Sequence, residues 1–201
     1  MPPRLLVLTD RTQCGRPLVD AVAAAVEAGA RAVVLREKDL PAHERDHLAA
    51  ELARLLGRVG GLLLRAGAPG TTGGVHLSAS EPFPAPRPPL VGRSCHSAAE
   101  LTAARAEGCD YVTVSPVFPT PSKPGYGPAL GPEGLRAMIS TTGPPPVLAL
   151  GGVLPRHVPA VLAAGAHGVA VMGAVMRDPA RTAEYLDALG GVPPPDDGPQ
   201  A

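Results

Sequence analysis

The sequences PVLALGGV, residues 146–153, and HGVAVMGAV, residues 167–175, decide the fold. In each, a short apolar run of strand type is followed by a glycine turn, at Gly151-Gly152 and at Gly173, and then by a helical stretch. In a (β/α)8 barrel the loops after strands 7 and 8 present backbone N–H groups and a helix N-terminus to a phosphate, and glycine lets the anion approach the backbone. The two turns therefore predict a phosphate site and a small phosphate ester as ligand.

Six further apolar runs precede these two, and Ala- and Leu-rich stretches fill most of the intervals. Continuous apolar runs that alternate with helical segments are typical of parallel βαβ units whose strands are buried on both faces. The eight predicted strands are residues 4–9, 32–35, 61–64, 74–77, 90–94, 111–114, 147–150 and 168–172. The clearest predicted helices are residues 18–28, 42–56, 98–107, 132–139, 155–164 and 179–189.

This order of elements predicts an α/β fold, a single compact (β/α)8 TIM barrel over residues 1–190. A doubly wound sheet is the structural alternative that the same order leaves open. Residues 191–201, GVPPPDDGPQA, are rich in proline and glycine and are expected to form a short disordered tail.

The composition argues against several classes of partner. Lys plus Arg and Asp plus Glu both number 18, and the chain has two Phe, three Tyr and no Trp, so it lacks the basic surface and stacking aromatics of nucleic-acid-binding proteins. Cys14, Cys95 and Cys109 have no CxxC spacing, and the apolar runs are only of strand length. We therefore expect no zinc site, no disulfide framework and no membrane span. The N-terminus has no signal-peptide apolar region, which predicts a cytoplasmic protein.

In a barrel the chemistry lies just after the carboxyl ends of the strands. Arg36 and Lys38 follow strand 2 at alternate positions and are candidates to bind an anionic substrate; a solvated charge cluster at a helix start is an equal alternative.

His76 lies within strand 4 and is interpreted as a packed, hydrogen-bonded residue. His96 follows strand 5, where a titrating imidazole can move a proton near neutral pH. Its alternative role is that of a helix-start residue beside the N-cap Ser97.

The loop after strand 6, SPVFPTPSKPGYGPALG, residues 115–131, is the longest of the loops. Its prolines and glycines surround Thr120, Ser122 and Lys123, which supply two hydroxyls and one cation. Long loops of this kind tend to be functional, so we predict that it lies over the barrel mouth; a plain surface loop is the alternative.

Seven motifs occur in order along the chain. They are LTD (8–10), VLREK (34–38), GVHL (74–77), GRSCHS (92–97), CDYVTVSPVFPTPSK (109–123), LALGGV (148–153) and GVAVMGAV (168–175). Together these segments resemble the thiamine phosphate synthase/TenI family over nearly the whole predicted barrel. The resemblance implies a (β/α)8 enzyme of thiamine biosynthesis that binds thiazole phosphate, a small-molecule substrate.

The resemblance also implies roles for individual residues. The thiazole phosphate would lie on the turns Gly151-Gly152 and Met172-Gly173. Thr120 and Ser122 would line the thiazole. The positions that handle the pyrimidine diphosphate in the synthases are matched by Arg36, Lys38, Ser94 and Lys123.

The chain departs from the synthases at the metal-binding positions. The synthases hold Mg²⁺ on two Asp residues, whereas here the family's N-D-R is replaced by Leu64-Arg65-Ala66, which would put Arg65 at a metal-binding position. The family's G-Q-x-D is replaced by SASE, residues 78–81, so Glu81 is the one remaining candidate ligand for Mg²⁺. A further departure is Val34, which stands where the synthases carry Gln. One carboxylate is a poor site for octahedral Mg²⁺. We therefore expect no cofactor, and Mg²⁺ only if the protein is a synthase.

These departures favour a metal-independent TenI-type tautomerase, which converts a thiazole carboxylate phosphate into its aromatic tautomer by proton transfer. The His that TenI proteins carry after strand 6 corresponds here to Pro116. His96 is then the candidate base, with Glu81 or Glu37 as a second group. The alternatives are a thiamine phosphate synthase, a non-catalytic thiazole-phosphate-binding regulator and another barrel enzyme acting on sugar phosphates. A homo-oligomer is compatible with the sequence.

Overall fold

A computed structural model describes residues 2–67, 73–120, 128–143 and 145–190. Eight short strands are present: β1 Leu5–Leu8, β2 Ala32–Leu35, β3 Leu62–Ala66, β4 Gly74–Leu77, β5 Val91–Cys95, β6 Tyr111–Val114, β7 Val147–Ala149 and β8 Gly168–Val171. Each strand pairs in parallel with the next, and β8 pairs with β1, which closes the sheet into a barrel. The predicted (β/α)8 barrel is confirmed and the doubly wound alternative is wrong. The predicted tail, residues 191–201, lies outside the described residues.

Within the described residues, seven α-helices cover the outside of the barrel: α1 Leu18–Glu27, α2 Ala42–Gly57, α3 Ala98–Ala106, α4 Gly131–Thr142, α5 Val158–Ala163, α6 Gly173–Arg177 and α7 Arg181–Ala188. The helix predicted over residues 155–164 is divided into a 3₁₀ turn, Pro155–His157, and α5. Pro159 accounts for the position of α5, because proline fits the first turn of a helix but not its interior. The proline-rich residues 81–89 form a loop, as predicted.

The core has two parts because successive side chains of a strand point to opposite faces. A large apolar layer lies between the strands and the helices. A smaller cluster fills the barrel itself and consists of Leu6, Leu8, Ala32, Val34, Leu64, Ala66, Tyr111, Leu148 and Ala170. None of the helices within the described ranges is long and apolar enough to cross a membrane.

The two ends of the described chain meet at the amino-terminal face of the barrel. Arg4 donates from Nη1 to the carbonyl of Leu189 at 2.9 Å, and His167 Nε2 lies 3.0 Å from the carbonyl of Pro2. The carbonyl of Arg4 also accepts from the backbone N–H of Val169 at 2.8 Å. The first bond joins the segment before β1 to the residue after α7, and the other two join it to the start of β8, on the face opposite the strand carboxyl ends.

Candidate active site

A cavity of about 420 Å³ opens at the carboxyl ends of the strands. It is lined by side chains and turns from both halves of the barrel, and it brings most of the predicted site residues together. Those that line it are Arg36, Lys38, Ser94, His96, Thr120, Gly151, Gly152, Met172 and Gly173. Glu81 is absent from the lining, and Ser122 and Lys123 lie outside the described residues.

The turn after β7 packs against the loop after β6. Gly151 and Gly152 have φ angles of +88° and +63°, in the left-handed region that favours glycine. A Cβ on Gly152 would also collide with the carbonyl of Pro119 and come within 2.7 Å of the carbonyl oxygen of Phe118. Glycine at position 152 is therefore required by the backbone itself, a reason that is independent of any ligand.

The turns after β7 and β8 supply backbone donors to the cavity. Among the described residues, no acceptor pairs with the backbone N–H of Gly152 or with that of Gly173. Unpaired N–H groups beside a cavity can bind an anion. Both turns therefore have the donors expected of the predicted phosphate site.

Arg177 is a cavity residue that the sequence analysis missed. Its Nη1 donates to Oε1 of Gln13 at 2.6 Å and lies 2.8 Å from the place that a Cβ on Gly173 would occupy. Gln13 is held in turn by Asp10, whose Oδ2 accepts from Nε2 at 2.7 Å. Its position four residues after Gly173 could have predicted that Arg177 lies at the cavity, because positions i and i+4 share one face of a helix.

Two cations line the cavity in the loop after β2. The backbone N–H of Arg36 donates to Thr9 Oγ1 at 2.9 Å, which fixes the start of the loop. The Lys38 ammonium lies 2.9 Å from Oε1 of Glu81. Burial raises the pKa of Glu81, but hydrogen bonds from Lys38 and from the backbone of Ser78 outweigh it and hold the pKa below its usual value. Glu81 is thus an ionised partner of Lys38 at the rim.

A buried guanidinium positions the loop that carries Glu81. Arg93 is 3% exposed and donates from Nη1 to the carbonyls of Ser78, Ala79 and Glu81 at 3.0, 3.1 and 2.7 Å. Its Nη2 lies 2.7 Å from a carboxylate oxygen of Glu107. The loop after β4 is therefore tied to β5 by one side chain.

His96 presents its imidazole to the cavity in a defined tautomer. Its Nδ1 lies 2.6 Å from the carbonyl oxygen of Ser115. A carbonyl can only accept, so Nδ1 carries the hydrogen and Nε2 is the acceptor in the neutral ring. His96 also lies beside the N-cap as the alternative expected: the Ser97 hydroxyl accepts from the backbone N–H of Glu100, and the backbone N–H of His96 donates to the Glu100 carboxylate. His96 is therefore placed to accept a proton.

Glu37 has a structural role instead of lining the cavity. Its side chain is almost fully buried and lies 3.1 Å from the guanidinium of Arg11, and it also accepts from the backbone N–H of Arg11 at 3.2 Å. These contacts hold the turn after β1. Glu37 is not placed to act as a base on a ligand in the cavity.

The expectation that Arg65 lies at a metal-binding position is wrong. Its guanidinium forms an ion pair with Asp46 of α2 at 2.7 Å, outside the barrel. The neighbouring Ala66 faces the cavity instead. The last residue of β3 therefore presents an apolar methyl group to the cavity.

His76 lies inside the barrel wall and links two hydroxyl groups. Nδ1 is 2.9 Å from the Tyr111 hydroxyl, and Nε2 is 3.0 Å from Ser94 Oγ. Burial lowers the pKa of His76 to about 4, with smaller contributions from nearby charges of which Lys38 is the largest. The sequence interpretation of His76 as a packed, hydrogen-bonded residue agrees with these contacts.

The residues at the cavity do not fit a resident Mg²⁺ ion. In the part of the chain that the structure describes, no group of three or more His, Cys, Asp or Glu side chains could hold a metal. Glu81 is already bound by Lys38, and Ala66 offers no ligand. Octahedral Mg²⁺ prefers several carboxylate and other oxygen ligands, whereas the described residues at this wall offer one carboxylate, which Lys38 already binds.

Comparison with known proteins assigns the chain to a protein family. The sequence profile described as thiamine monophosphate synthase matches residues 5–175. The chain belongs to this family. The putative thiamine-phosphate synthase of Geobacter sulfurreducens is 40% identical over 207 residues, which cover 94% of each chain. The thiamine-phosphate synthase of Moorella thermoacetica is 34% identical over 183 residues, covering 85% of this chain and 86% of the relative.

Solved structures agree with the family assignment. The thiamine phosphate pyrophosphorylase from Pyrococcus furiosus superposes with a TM-score of 0.80 at 28% identity, covering 94% of this chain and 96% of that one. The family resemblance identified from the seven motifs is therefore confirmed.

Proposed function

We propose that this protein is a thiamine phosphate synthase, which joins a pyrimidine methyl diphosphate to thiazole phosphate and releases diphosphate. The observation that carries the proposal is a single cavity with two sets of anion-binding groups. One set is the glycine turns after β7 and β8 with Arg177, and the other is Arg36 and Lys38 after β2. A reaction between two phosphorylated substrates needs both sets.

The names of the relatives support this choice over the tautomerase, which the sequence analysis placed first. Both relatives described above carry synthase names and cover most of this chain. The tautomerase substrate carries one phosphate and one carboxylate, whereas the synthase binds a phosphate and a diphosphate, so the two cations after β2 meet the more highly charged anion in the synthase. The synthase is therefore the better explanation of the whole cavity.

The chemistry requires charge stabilisation more than proton transfer. The carbon–oxygen bond between the pyrimidine methylene and the diphosphate breaks, and the diphosphate leaves with the electron pair. The thiazole nitrogen donates its lone pair to the methylene carbon, which forms the new carbon–nitrogen bond. Arg36 and Lys38 are placed to stabilise negative charge as it develops on the leaving oxygen, and fixed charges in a partly closed site are effective for this.

His96 supports the tautomerase as a second candidate. Its Nδ1–H is held by the carbonyl of Ser115, so Nε2 is the basic nitrogen of a ring that lines the cavity. A tautomerase needs such a base, whereas the synthase reaction needs none at the carbon centre. A metal-independent proton transfer also needs no carboxylate at the position of Ala66, which lines the cavity.

One set of assays separates the candidates. Purified protein is incubated with pyrimidine methyl diphosphate and thiazole phosphate, with Mg²⁺ or with a chelator, and thiamine phosphate is measured; a parallel assay follows aromatisation of the thiazole synthase product. We expect thiamine phosphate to form. Tautomerisation without thiamine phosphate formation would favour the second candidate, and binding of thiazole phosphate without either product would indicate the regulator.

Substitution of His96 adds a second criterion. In a synthase, His96→Gln should change kcat by less than tenfold, whereas loss of a general base typically lowers the rate by about 10²–10⁴-fold. His47→Gln is the matched control, because His47 lies exposed on α2 and does not line the cavity.

A further inference from the structure

We propose that Tyr111 and His76 are positioning residues that fix Ser94 as a hydrogen-bond donor to the ligand in the cavity. Ser94 lines the cavity, whereas Tyr111 lies in the barrel interior and makes its contact through the His76 ring. The identity of the ligand rests on the proposed function. The direction of the hydrogen bonds is independent of the proposed function, because it follows from the side chains of the protein alone.

The three side chains form a continuous chain of contacts inside the barrel. Tyr111 is fully buried and His76 is 4% exposed, and their rings stack with centroids 5.6 Å apart. The space for the phenol comes from Gly92, which pairs with Tyr111 across β5 and β6. A Cβ on Gly92 would collide with the Tyr111 ring. The position of the phenol is therefore fixed by its neighbours.

The direction of the bonds follows from counting hydrogens. A neutral imidazole has one donor and one acceptor nitrogen, and a phenol has one hydrogen. If Tyr111 donates to Nδ1, then Nε2–H donates to Ser94 Oγ. The phenol hydrogen and the imidazole hydrogen then both have an acceptor. If Nδ1 donated to Tyr111 instead, the phenol hydrogen would need another acceptor, and none contacts it among the described residues. A buried donor without an acceptor is costly, so the first arrangement is favoured.

This arrangement leaves the Ser94 hydroxyl with one remaining role. Its oxygen accepts from His76 Nε2 and faces Thr113 Oγ1 at 3.5 Å. Its own hydrogen is then available to the cavity. A group with only acceptor oxygens, such as a phosphate or diphosphate, is the matching ligand, whereas an ammonium or amide N–H would face an occupied oxygen. Ser94 thus selects for anionic oxygen on the side of the cavity that carries Arg36 and Lys38.

The tautomer of His76 can be measured on the free protein. A long-range ¹H–¹⁵N spectrum of histidine-labelled protein at pH 7 should show a single neutral form of His76 with the hydrogen on Nε2. Tyr111→Phe removes the phenol hydrogen and keeps the ring, so the spectrum should change toward the Nδ1–H form or a mixture. Tyr185→Phe is the matched control, because this buried phenol donates to the carbonyl of Val153 and does not contact His76. Hydrogen on Nδ1 in the unsubstituted protein would overturn the proposal.

Kinetics test the consequence for the ligand. Ser94→Ala removes one hydrogen bond to a charged group and should lower kcat/KM for the pyrimidine diphosphate by about tenfold or more, while KM for thiazole phosphate stays within twofold. Tyr111→Phe should give a smaller loss, and no further loss in the Ser94→Ala background, because both changes remove the same interaction. Tyr185→Phe should leave kcat/KM for the pyrimidine diphosphate within twofold. Independent, additive losses would overturn the role of Tyr111.

Failure of the proposed function would be recognised separately. If the protein forms no thiamine phosphate, the same variants are compared by calorimetric binding of inorganic diphosphate. Weaker diphosphate binding in Ser94→Ala and in Tyr111→Phe would then support the positioning role although the synthase proposal had failed. Unchanged binding in both variants would overturn it.

Discussion

The Nζ atom of Lys38 lies 2.9 Å from Oε1 of Glu81, so the loop after β2 is joined to the loop after β4 at the rim of the cavity. Both side chains are partly exposed, and ion pairs of this kind contribute about 0–1 kcal/mol to stability. The pair therefore matters more for placing Lys38 than for folding. It also engages the carboxylate that was predicted as a catalytic group.

The first prediction concerns Glu81→Gln. Because Glu81 is ionised, bound to Lys38 and outside the cavity lining, we expect kcat to change by less than tenfold in the synthase assay. Lys38→Met should reduce kcat/KM for the pyrimidine diphosphate far more, since it removes a cation from the cavity. A loss in Glu81→Gln within the range of about 10²–10⁴-fold would restore Glu81 as a general acid or base.

The second prediction assigns Arg177 to the phosphate of the thiazole. Arg177→Gln should weaken binding of thiazole phosphate by about tenfold or more, the effect of one hydrogen bond to a charged group, and leave binding of the phosphate-free thiazole alcohol unchanged in calorimetry. Arg181→Gln is the control, because Arg181 pairs with Glu184 and does not line the cavity. An equal loss for both ligands would exclude a phosphate contact.

A variant of Gln13 refines this test. Gln13→Glu would turn the neutral partner of Arg177 into a carboxylate that competes with the phosphate, so thiazole phosphate should bind more weakly. Gln13→Leu removes that partner and should retain the affinity.

The third prediction separates two reasons for glycine at position 152. A left-handed φ costs a non-glycine residue about 1–2 kcal/mol, and Gly60 has the same φ of +63° with open space around its Cβ position. Gly152→Ala should lower the free energy of unfolding by more than Gly60→Ala, because the new methyl also meets the carbonyls of Phe118 and Pro119. Urea denaturation measures both values. Equal losses would show that the loop after β6 moves to accept the methyl.

Gly173 offers a cleaner probe of the ligand than Gly152. Its Cβ position is limited by the ends of two flexible side chains, Gln13 and Arg177, and its φ is not left-handed. Gly173→Ala should therefore keep its stability within about 1 kcal/mol and weaken binding of thiazole phosphate. Loss of affinity in Gly152→Ala alone would be difficult to separate from movement of the backbone.

The fourth prediction concerns Arg93 and the loop that it holds. Arg93→Met removes the contacts of Nη1 with three loop carbonyls, which share its two hydrogens. The loss is therefore that of about two hydrogen bonds, each worth about 0.5–1.5 kcal/mol or somewhat more from a charged donor. We expect a loss of about 2–4 kcal/mol in the free energy of unfolding and faster proteolysis within residues 78–90. Arg87→Met is the control, since Arg87 is exposed in its pair with Asp110 and should cost under about 1 kcal/mol.

The fifth prediction is a pH dependence of stability from His76. The unfolded chain binds a proton at this residue near pH 6.5, whereas the folded protein does so only near its pKa of about 4. Between these values the unfolded state holds more protons, so stability is complete above pH 6.5 and falls as the pH is lowered, by up to about 3 kcal/mol. His76→Gln should remove this slope from urea denaturation between pH 5 and 6.5, and His47→Gln should retain it.

The fold was predictable because barrel strands are continuous apolar runs. β2, β4 and β6 begin and end at the predicted residues, since each run is bounded by polar or glycine-containing turns. Because these runs are continuous, the sequence did not indicate which side chains point into the barrel and which point to the helices. In the run LLLRA of β3 both faces are apolar, so no alternation distinguished Ala66, which faces the cavity, from Arg65, which faces α2.

The candidate site was predictable where residues follow directly after a strand. Arg36, Lys38 and His96 line the cavity for this reason, and Ser94 lines it from the last residues of β5. Partners distant in the sequence were not predictable: Glu37 is held by Arg11, 26 residues away, and Arg177 meets Gln13 across 164 residues. Only the closed barrel brings such pairs together.

The bonds from Arg4 to Leu189 and from His167 to Pro2 place both ends of the described chain on the side of the barrel away from the cavity. A tether attached at either end therefore leaves the mouth accessible to small molecules. Pro2 and Gly190 are therefore suitable points for immobilisation, and a short linker that joins them would suit a circular permutant.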